Sequence, residues 1–267
     1  DLGLLSKRGL NSVIYSYFRR KEKKLYQLSD FIGCMSPANV EYLLKNNSYL
    51  DPELVEVARN SIELRKEVRE SSVDKTAIRQ KYKLPSDKPI FLYGGNLGKT
   101  QGVDYIIKCL EENENRQDCH FLVVGSGAEE RKMKEWYHKR QPQAVTCMSS
   151  LPKSDYDALV KACDVGLIFL DHRFTIPNYP SRILSYMEYK LPVICATDVS
   201  TDIGCIAEEN GYGYWCESNS VEAFTSILDK IIHADRKAMG ERGHRYLCEN
   251  YLVDNTYQTI VKHLSNV

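Results

Sequence analysis

Beyond residue 87 the apolar positions fall into short unbroken runs, separated by stretches with helical spacing. The runs PIFLYGG (89–95), CHFLVVGSG (119–127), AVTCM (144–148), DVGLIFL (164–170), LPVICAT (191–197) and GYGYWC (211–216) read as strands. Between them, 103–110, 129–140, 155–162, 181–189, 203–209 and 221–232 carry apolar residues three and four apart, the spacing of a helix with one buried face. Strands that are apolar throughout, rather than at alternate positions, are covered on both faces. Strands alternating with helices wind into a parallel sheet. The expected fold class is α/β, a Rossmann-like doubly wound parallel sheet. The helical pattern resumes over 236–267 and predicts one or two further helices.

Upstream the pattern is less regular. DFIGCMS (30–36) reads as a short buried strand, with Ser36 as N-cap and Pro37 as first residue of a helix running to Leu44. Leu54, Val55 and Val57 predict a second short strand, and Arg59, Asn60 and Ser61 a turn. A charged stretch over 63–83 closes with Leu84, Pro85, Ser86 and Asp87, giving a linker and helix over 61–87. The chain thus divides into 1–60, 61–87, 88–235 and 236–267.

Composition narrows the function. Apolar residues make up 43% of the 267, enough for a sizeable core. Lys plus Arg and Asp plus Glu are both 36, so a dedicated duplex-DNA binder is disfavoured and no nucleic-acid partner is expected. No apolar run approaches the roughly 18 residues of a membrane-spanning helix. Charge is nonetheless uneven. Within the first thirty residues Lys7, Arg8, Arg19, Arg20, Lys21, Lys23 and Lys24 face only Asp1, Glu22 and Asp30, seven against three, a net of +4. Leu10, Ile14, Tyr17, Phe18, Leu25 and Leu28 recur there at helical steps. Such a helix either touches anionic membrane lipid or presents a solvated face. The chain opens with no signal peptide and without Met, so a processed or truncated product is expected. Its nine cysteines are odd in number and form no C-x-x-C pair, which fits buried free thiols in a reducing cytosol. The six histidines show no metal-ligand spacing, so no structural zinc is expected.

In a doubly wound sheet, ligands bind outside the carboxyl ends of the strands. Three loops stand there. Gly94, Gly95, Asn96, Leu97, Gly98, Lys99, Thr100, Gln101 and Gly102 follow the first strand of the regular part. Glycines after a strand let backbone N–H groups approach an anion, the next helix start favours negative charge, and Lys99 adds a cation. The loop is neither G-x-G-x-x-G nor a Walker A, so NAD and NTP-hydrolase readings lose ground. A tight strand–helix turn explains it equally well. Gly125 and Gly127 form a second, commonplace turn. In the third, 174–182, Pro180 suits a first helical position. Ser181 and Arg182 then present backbone N–H groups with a guanidinium alongside. Two anion-friendly helix starts on one sheet edge suit a diphosphate. Asp171 and Asp198 end strands at the same edge, and each reads equally as an ordinary cap or turn residue.

The stretches FLYGGNLGKTQG, FLVVGSG, ACDVGLIFLD and YPSRILSYMEYKLPVICATD resemble, in this order, the nucleotide-binding half of GT-B glycosyltransferases. The likeness is strongest to the retaining group called family 4 glycosyltransferases (group 1). DFIGCMSPANVEYLL resembles the last strand and helix of that family's N-terminal, acceptor-binding domain, and RNSIE its interdomain crossing. The resemblance implies that this chain is the C-terminal part of a longer enzyme. It implies transfer of a sugar from a nucleoside-diphosphate sugar to a hydroxyl of a saccharide or lipid-linked saccharide. Configuration would be retained, and neither a metal nor a further cofactor is required. The setting would be polysaccharide (capsular, for example) or glycolipid biosynthesis, in the cytoplasm or at the inner membrane face.

Position by position, the resemblance puts Gly94, Gly95 and Asn96 on the donor diphosphate, Lys99 and Gln101 near the family's basic residues, and Gly125 and Gly127 in the second glycine loop. Met148 to Leu151 takes the base, Ser181 and Arg182 the distal phosphate, and Ser185 the ribose. The family's usual Arg is Asn96 here, its usual Lys is Gln101, with Lys99 as the nearby substitute, and both glutamates of its E-x7-E motif are absent, Pro177 and Ser185 standing near those places. No carboxylate of this chain is singled out as catalytic. Two other readings share the fold: a nucleotide-sugar epimerase, and a non-catalytic donor-binding or scaffold subunit, which the lost glutamates motivate.

Overall fold

The computed structural model describes residues 11–64 and 74–264; the first ten residues, 65–73 and the last three lie outside the described residues. Helix α1 (Asn11–Gln27) leads into β1 (Ile32–Cys34), α2 (Pro37–Asn46) and β2 (Val55–Val57). β1 and β2 pair in parallel, Ile32 opposite Val55. α2 begins as its sequence dictates: the Ser36 hydroxyl accepts from the Asn39 N–H, and Pro37 opens the first turn. Leu54, expected in the second strand, lies in a single 3-10 turn, Pro52–Leu54. Of the charged 61–87 stretch, 65–73 falls outside the described residues and the remainder yields α3 (Lys75–Lys81), capped by Asp74. Arg79 on α3 reaches Asp164 at 2.6 Å and the Ala162 carbonyl at 2.9 Å, and Asp164 also accepts from the Ile90 N–H at 2.8 Å. Two adjacent strand entries and α3 are thereby fastened at one point.

The regular part follows the predicted alternation: β3 (Ile90–Asn96), α4 (Val103–Glu112), β4 (His120–Ser126), α5 (Glu130–Arg140), β5 (Val145–Met148), α6 (Lys153–Ala162), β6 (Val165–Phe169), α7 (Arg182–Glu188), β7 (Val193–Thr197), α8 (Ile203–Glu209) and β8 (Gly213–Glu217). Then come α9 (Val221–His233), α10 (Arg236–Asn250) and α11 (Val253–Leu264). All six strands of the main sheet are parallel, in the order β5-β4-β3-β6-β7-β8. The chain winds outward from β3 to β5, returns to the far side of β3, and winds outward again. Connections leave β3 and β6 in opposite directions, and a crevice opens at their carboxyl ends.

Apolar-throughout strands serve two cores. Along β3, Phe91 and Tyr93 face one layer with Ile106, Phe121, Phe169 and Phe224. Ile90 and Leu92 face the other with Leu159, Ile183, Tyr186 and Leu247. Each such buried side chain contributes about 1.5–3 kcal/mol of transfer free energy. α4 and α9 supply the first layer; α6, α7 and α10 the second. All nine cysteines are free, five buried and Cys205 exposed. The last helix comes back to the first sheet. The Ile62 N–H donates to the Tyr251 carbonyl at 2.8 Å, the Thr256 hydroxyl donates to the Arg59 carbonyl at 3.1 Å, and Glu56 pairs with Lys262 and His263 on α11.

Candidate functional site

The floor of the crevice is the end of β3. Gly95 lies directly opposite Gly125 of β4. A Cβ on Gly125 would stand 2.2 Å from the Gly95 carbonyl oxygen, so the two strand ends approach as only glycine permits. Gly95 has φ +149°, a conformation that L side chains rarely adopt. A Cβ there would meet the Arg182 guanidinium at 2.7–2.8 Å. Arg182 is the first residue of α7, and its side chain therefore lies across the strand end.

Two tyrosines hold this arrangement. Tyr186, fully buried one helical turn beyond Arg182, donates its hydroxyl to the Leu92 carbonyl at 3.1 Å and accepts from the Gly94 N–H at 3.3 Å. Tyr156 on α6 accepts from Arg182 Nη1 at 3.0 Å, with the guanidinium 5.6 Å from its ring centroid. Burial pushes the phenols of Tyr93, Tyr156 and Tyr186 up from their ordinary value, so all three are neutral donors and acceptors near pH 7. No carboxylate pairs with Arg182 among the described residues. The result is a half-buried, uncompensated cation over a glycine floor. It opens on a cleft of about 330 Å³ lined also by Asn96, Ser126, Ser150 and Leu151.

The other expected site residues scatter around this centre. Asn96 ends β3 exposed, its Nδ2 donating to Gln101 Oε1 at 3.2 Å. Gly127, at φ +151°, backs onto Asn96, where a Cβ would stand 2.4 Å from Oδ1. Leu151 lines the cleft, whereas Met148 lines a smaller hollow with Leu97, Tyr137 and Cys147. Ser181 is exposed and makes no capping bond. Ser185 is half-buried on α7, and its carbonyl accepts from the Tyr189 N–H at 3.2 Å.

Lys99 departs from the expected grouping. A 3-10 turn, Lys99–Gln101, and Gly102 at φ +65° stand between the glycine loop and α4. Gly102 sits against Asp171, whose N–H donates to the Thr100 carbonyl at 3.0 Å. Lys99 and the start of α4 consequently line a second cleft with Asp104, Asp171 and Arg173. The helix start expected behind Gly94 and Gly95 opens there instead. Asp171 itself is held by Arg173 at 2.6 Å, and Asp198 accepts from the Ser200 and Thr201 N–H groups, which are turn roles. Pro177 gives its carbonyl to Asn39 Nδ2 at 2.7 Å, on the side of α2.

Tyr156 and Tyr186 were not legible in advance. Each occupies an apolar-face position of an amphipathic helix, where a tyrosine reads as core. Only the approach to Arg182, 26 residues further on, gives Tyr156 another role. Among the described residues, no group of three or more His, Cys, Asp or Glu is placed to hold a metal. None of their helices is long and apolar enough to cross a membrane.

Residues 74–246 match the family described as "Glycosyl transferases group 1". The probable glycosyltransferase WbjE of Pseudomonas aeruginosa is 26% identical over 164 residues, 61% of this chain and 41% of that protein. The putative colanic acid biosynthesis glycosyl transferase WcaI of Escherichia coli (strain K12) is 25% identical over 166 residues, 61% of this chain and 40% of that protein. The matched part therefore spans less than half the length of either relative. Among solved structures, Anabaena HepE in complex with UDP-glucose superposes with a TM-score of 0.71 at 16% identity, covering 89% of this chain and 64% of that one. The C-terminal domain of LpcC, a glycosyl transferase group 1 family protein of Francisella tularensis, superposes with a TM-score of 0.57 at 17% identity, covering 72% of this chain and all of that one.

Proposed function

The chain belongs to the group 1 glycosyl transferases, and on that premise we propose that the cleft beneath Arg182 receives the diphosphate of a nucleoside-diphosphate sugar. The observation that carries this reading is the uncompensated guanidinium laid over Gly95. Gly95 and Asn96 form the floor on which the diphosphate rests, with Gly94 buried beneath the Tyr156 ring. The turn from Met148 to Leu151 borders the base, and Ser181, Ser185, Gln101 and Lys99 lie further out. That HepE was crystallised with UDP-glucose supports the nucleotide-sugar class.

The reaction breaks the bond from the anomeric carbon to the diphosphate oxygen and forms one to an acceptor hydroxyl oxygen, whose proton departs. Charge builds on the leaving diphosphate as the sugar becomes oxocarbenium-like. A cation fixed beside that oxygen holds the departing group more tightly in the transition state than in the ground state, which lowers the barrier. In this reading Arg182 supplies the positive charge, the transfer is retaining and metal-independent, and the product belongs to a polysaccharide or glycolipid. In a thermal-shift screen with UDP, GDP, ADP and their common sugar derivatives, one nucleotide series should raise the melting temperature by mass action. A folded protein that responds to none of them would remove the reading. The missing E-x7-E carboxylates favour a second one, a subunit that binds donor without turning it over. It predicts the same shift with no release of nucleotide in the presence of acceptor.

We also propose that α1 meets anionic lipid at the cytoplasmic membrane face. Arg19 turns inward to the Asn46 carbonyl and Asn47, and Tyr26 bonds Glu22. Val13, Tyr17, Phe18, Leu25 and Leu28 are left 55–72% exposed beside Arg20, Lys21, Lys23 and Lys24. That is the composition of an interfacial helix, apolar surface flanked by cations. The protein should sediment with phosphatidylglycerol vesicles and not with phosphatidylcholine vesicles, and Phe18→Glu with Leu25→Glu should abolish the binding. Equal or absent binding to both vesicle types would dispose of the proposal.

A further inference from the structure

Arg182 is held in an unusual manner. Buried arginines are ordinarily fixed by carboxylates, which orient the guanidinium and cancel its charge. Here the fixing group is a phenol. Tyr156 Oη takes one of the guanidinium's five N–H groups at 3.0 Å, and its ring lies against the strand end, where a Cβ on Gly94 would stand 2.0 Å from the hydroxyl. α6 cannot easily carry the ring elsewhere, because Leu159, Val160 and Ala162 anchor the helix in the core. We infer that Tyr156 is a positioning residue: it locks the Arg182 guanidinium over Gly94 and Gly95 while leaving its charge unspent and its remaining N–H groups free for the diphosphate. The inference rests on the nucleotide reading of the cleft.

The physical gain is in entropy. A free arginine side chain samples many rotamers, and a ligand that must immobilise it loses affinity accordingly. A neutral acceptor removes that freedom beforehand without competing for the charge. A carboxylate in the same place would orient equally well but would repel the incoming diphosphate. Tyr186 completes the geometry from below, since it ties the Leu92 carbonyl and the Gly94 N–H to α7, one turn beyond Arg182.

Tyr156→Phe keeps the ring and removes only the hydroxyl. Calorimetric titration with whichever of UDP, GDP and ADP binds tightest should show a two- to tenfold rise in Kd, the scale of one neutral hydrogen bond or one immobilised side chain. The melting temperature should change little. The charge is still present, so the salt dependence of the affinity should be retained, whereas Arg182→Ala should flatten it. Tyr156 also lines the cleft, so the Arg182→Ala background separates the two routes: a positioning residue acts through the guanidinium, and there Tyr156→Phe should have no further effect. An equal loss in both backgrounds, or no loss in either, would overturn the positioning role. A wild-type chain that binds no nucleotide, or an Arg182→Ala change without consequence, would sink the site reading itself and this role with it.

Discussion

Arg182→Ala should lower nucleotide affinity by about 5- to 150-fold, the 1–3 kcal/mol scale of a charge-assisted contact to phosphate, while the fold survives. The two halves of that expectation have separate grounds. Within the described residues, Arg182 makes one hydrogen bond, to Tyr156, and has no ion-pair partner. Removing it costs the Tyr156 hydroxyl one partner and unburies no carboxylate. It also relieves the burial of a lone cation, so the melting temperature of the free protein should hold or rise slightly. The bound state loses the only cation that lines the cleft among the described residues. Arg182→Lys should recover part of the loss, since it restores charge but not the planar fork. Calorimetric Kd values for wild type and both variants check the first half, and denaturant midpoints the second. Unchanged affinity at unchanged stability would place the diphosphate elsewhere, with the Lys99 cleft as the next location to test.

The second large effect is expected at Gly125, by a different route. Alanine there places a methyl carbon 2.2 Å from the Gly95 carbonyl oxygen and 3.3 Å from its carbon. Both are backbone atoms of the neighbouring strand, so no flexible side chain can yield. The ends of β3 and β4 must part, and the hydrogen-bond register that runs from Ile90–His120 to Asn96–Ser126 is disturbed at its carboxyl end. Overpacking of this kind costs about 1–3 kcal/mol of stability. It also moves Gly95 from beneath the guanidinium, so the nucleotide-induced thermal shift should vanish in a protein that still folds. Urea midpoints and the nucleotide screen together check this. A variant with wild-type stability would mean that the strand ends are looser than their spacing indicates.

The fold was legible because its strands are buried on both faces and so spell themselves as unbroken apolar runs. Phe91 to Tyr93 and Val193 to Ala196 are examples, each with alternate residues in opposite cores. The glycine floor was legible for a related reason: Gly94, Gly95 and Gly125 follow such runs immediately, where the Tyr156 ring, the Arg182 guanidinium and the Gly95 carbonyl respectively leave no room for a Cβ. The fate of Lys99 was not. It depends on the left-handed Gly102 and the 3-10 turn before it, which divert the loop toward Asp171. The α7 start was anticipated from Pro180, yet the helix runs only from Arg182 to Glu188, and it is the guanidinium that enters the cleft. Tyr156 lay beyond reach because its local pattern, with Leu159, Val160 and Cys163, is that of a core helix. Pairings between distant loops leave no periodic trace.

The return of α11 to the first sheet reverses the order in which the molecule is finished. Glu56 and its partner Lys262 are 206 residues apart. At about 5–20 residues per second of synthesis, the partner leaves the ribosome roughly 10–40 seconds later. During that interval the central sheet can assemble, since Ile90 meets His120 almost as soon as both exist. Glu56 on β2 waits for its partners on α11, and closing so long a loop is slow compared with pairing neighbours. The contacts of Arg59 and Glu56 with α11 are therefore among the last that the described part of the chain can form.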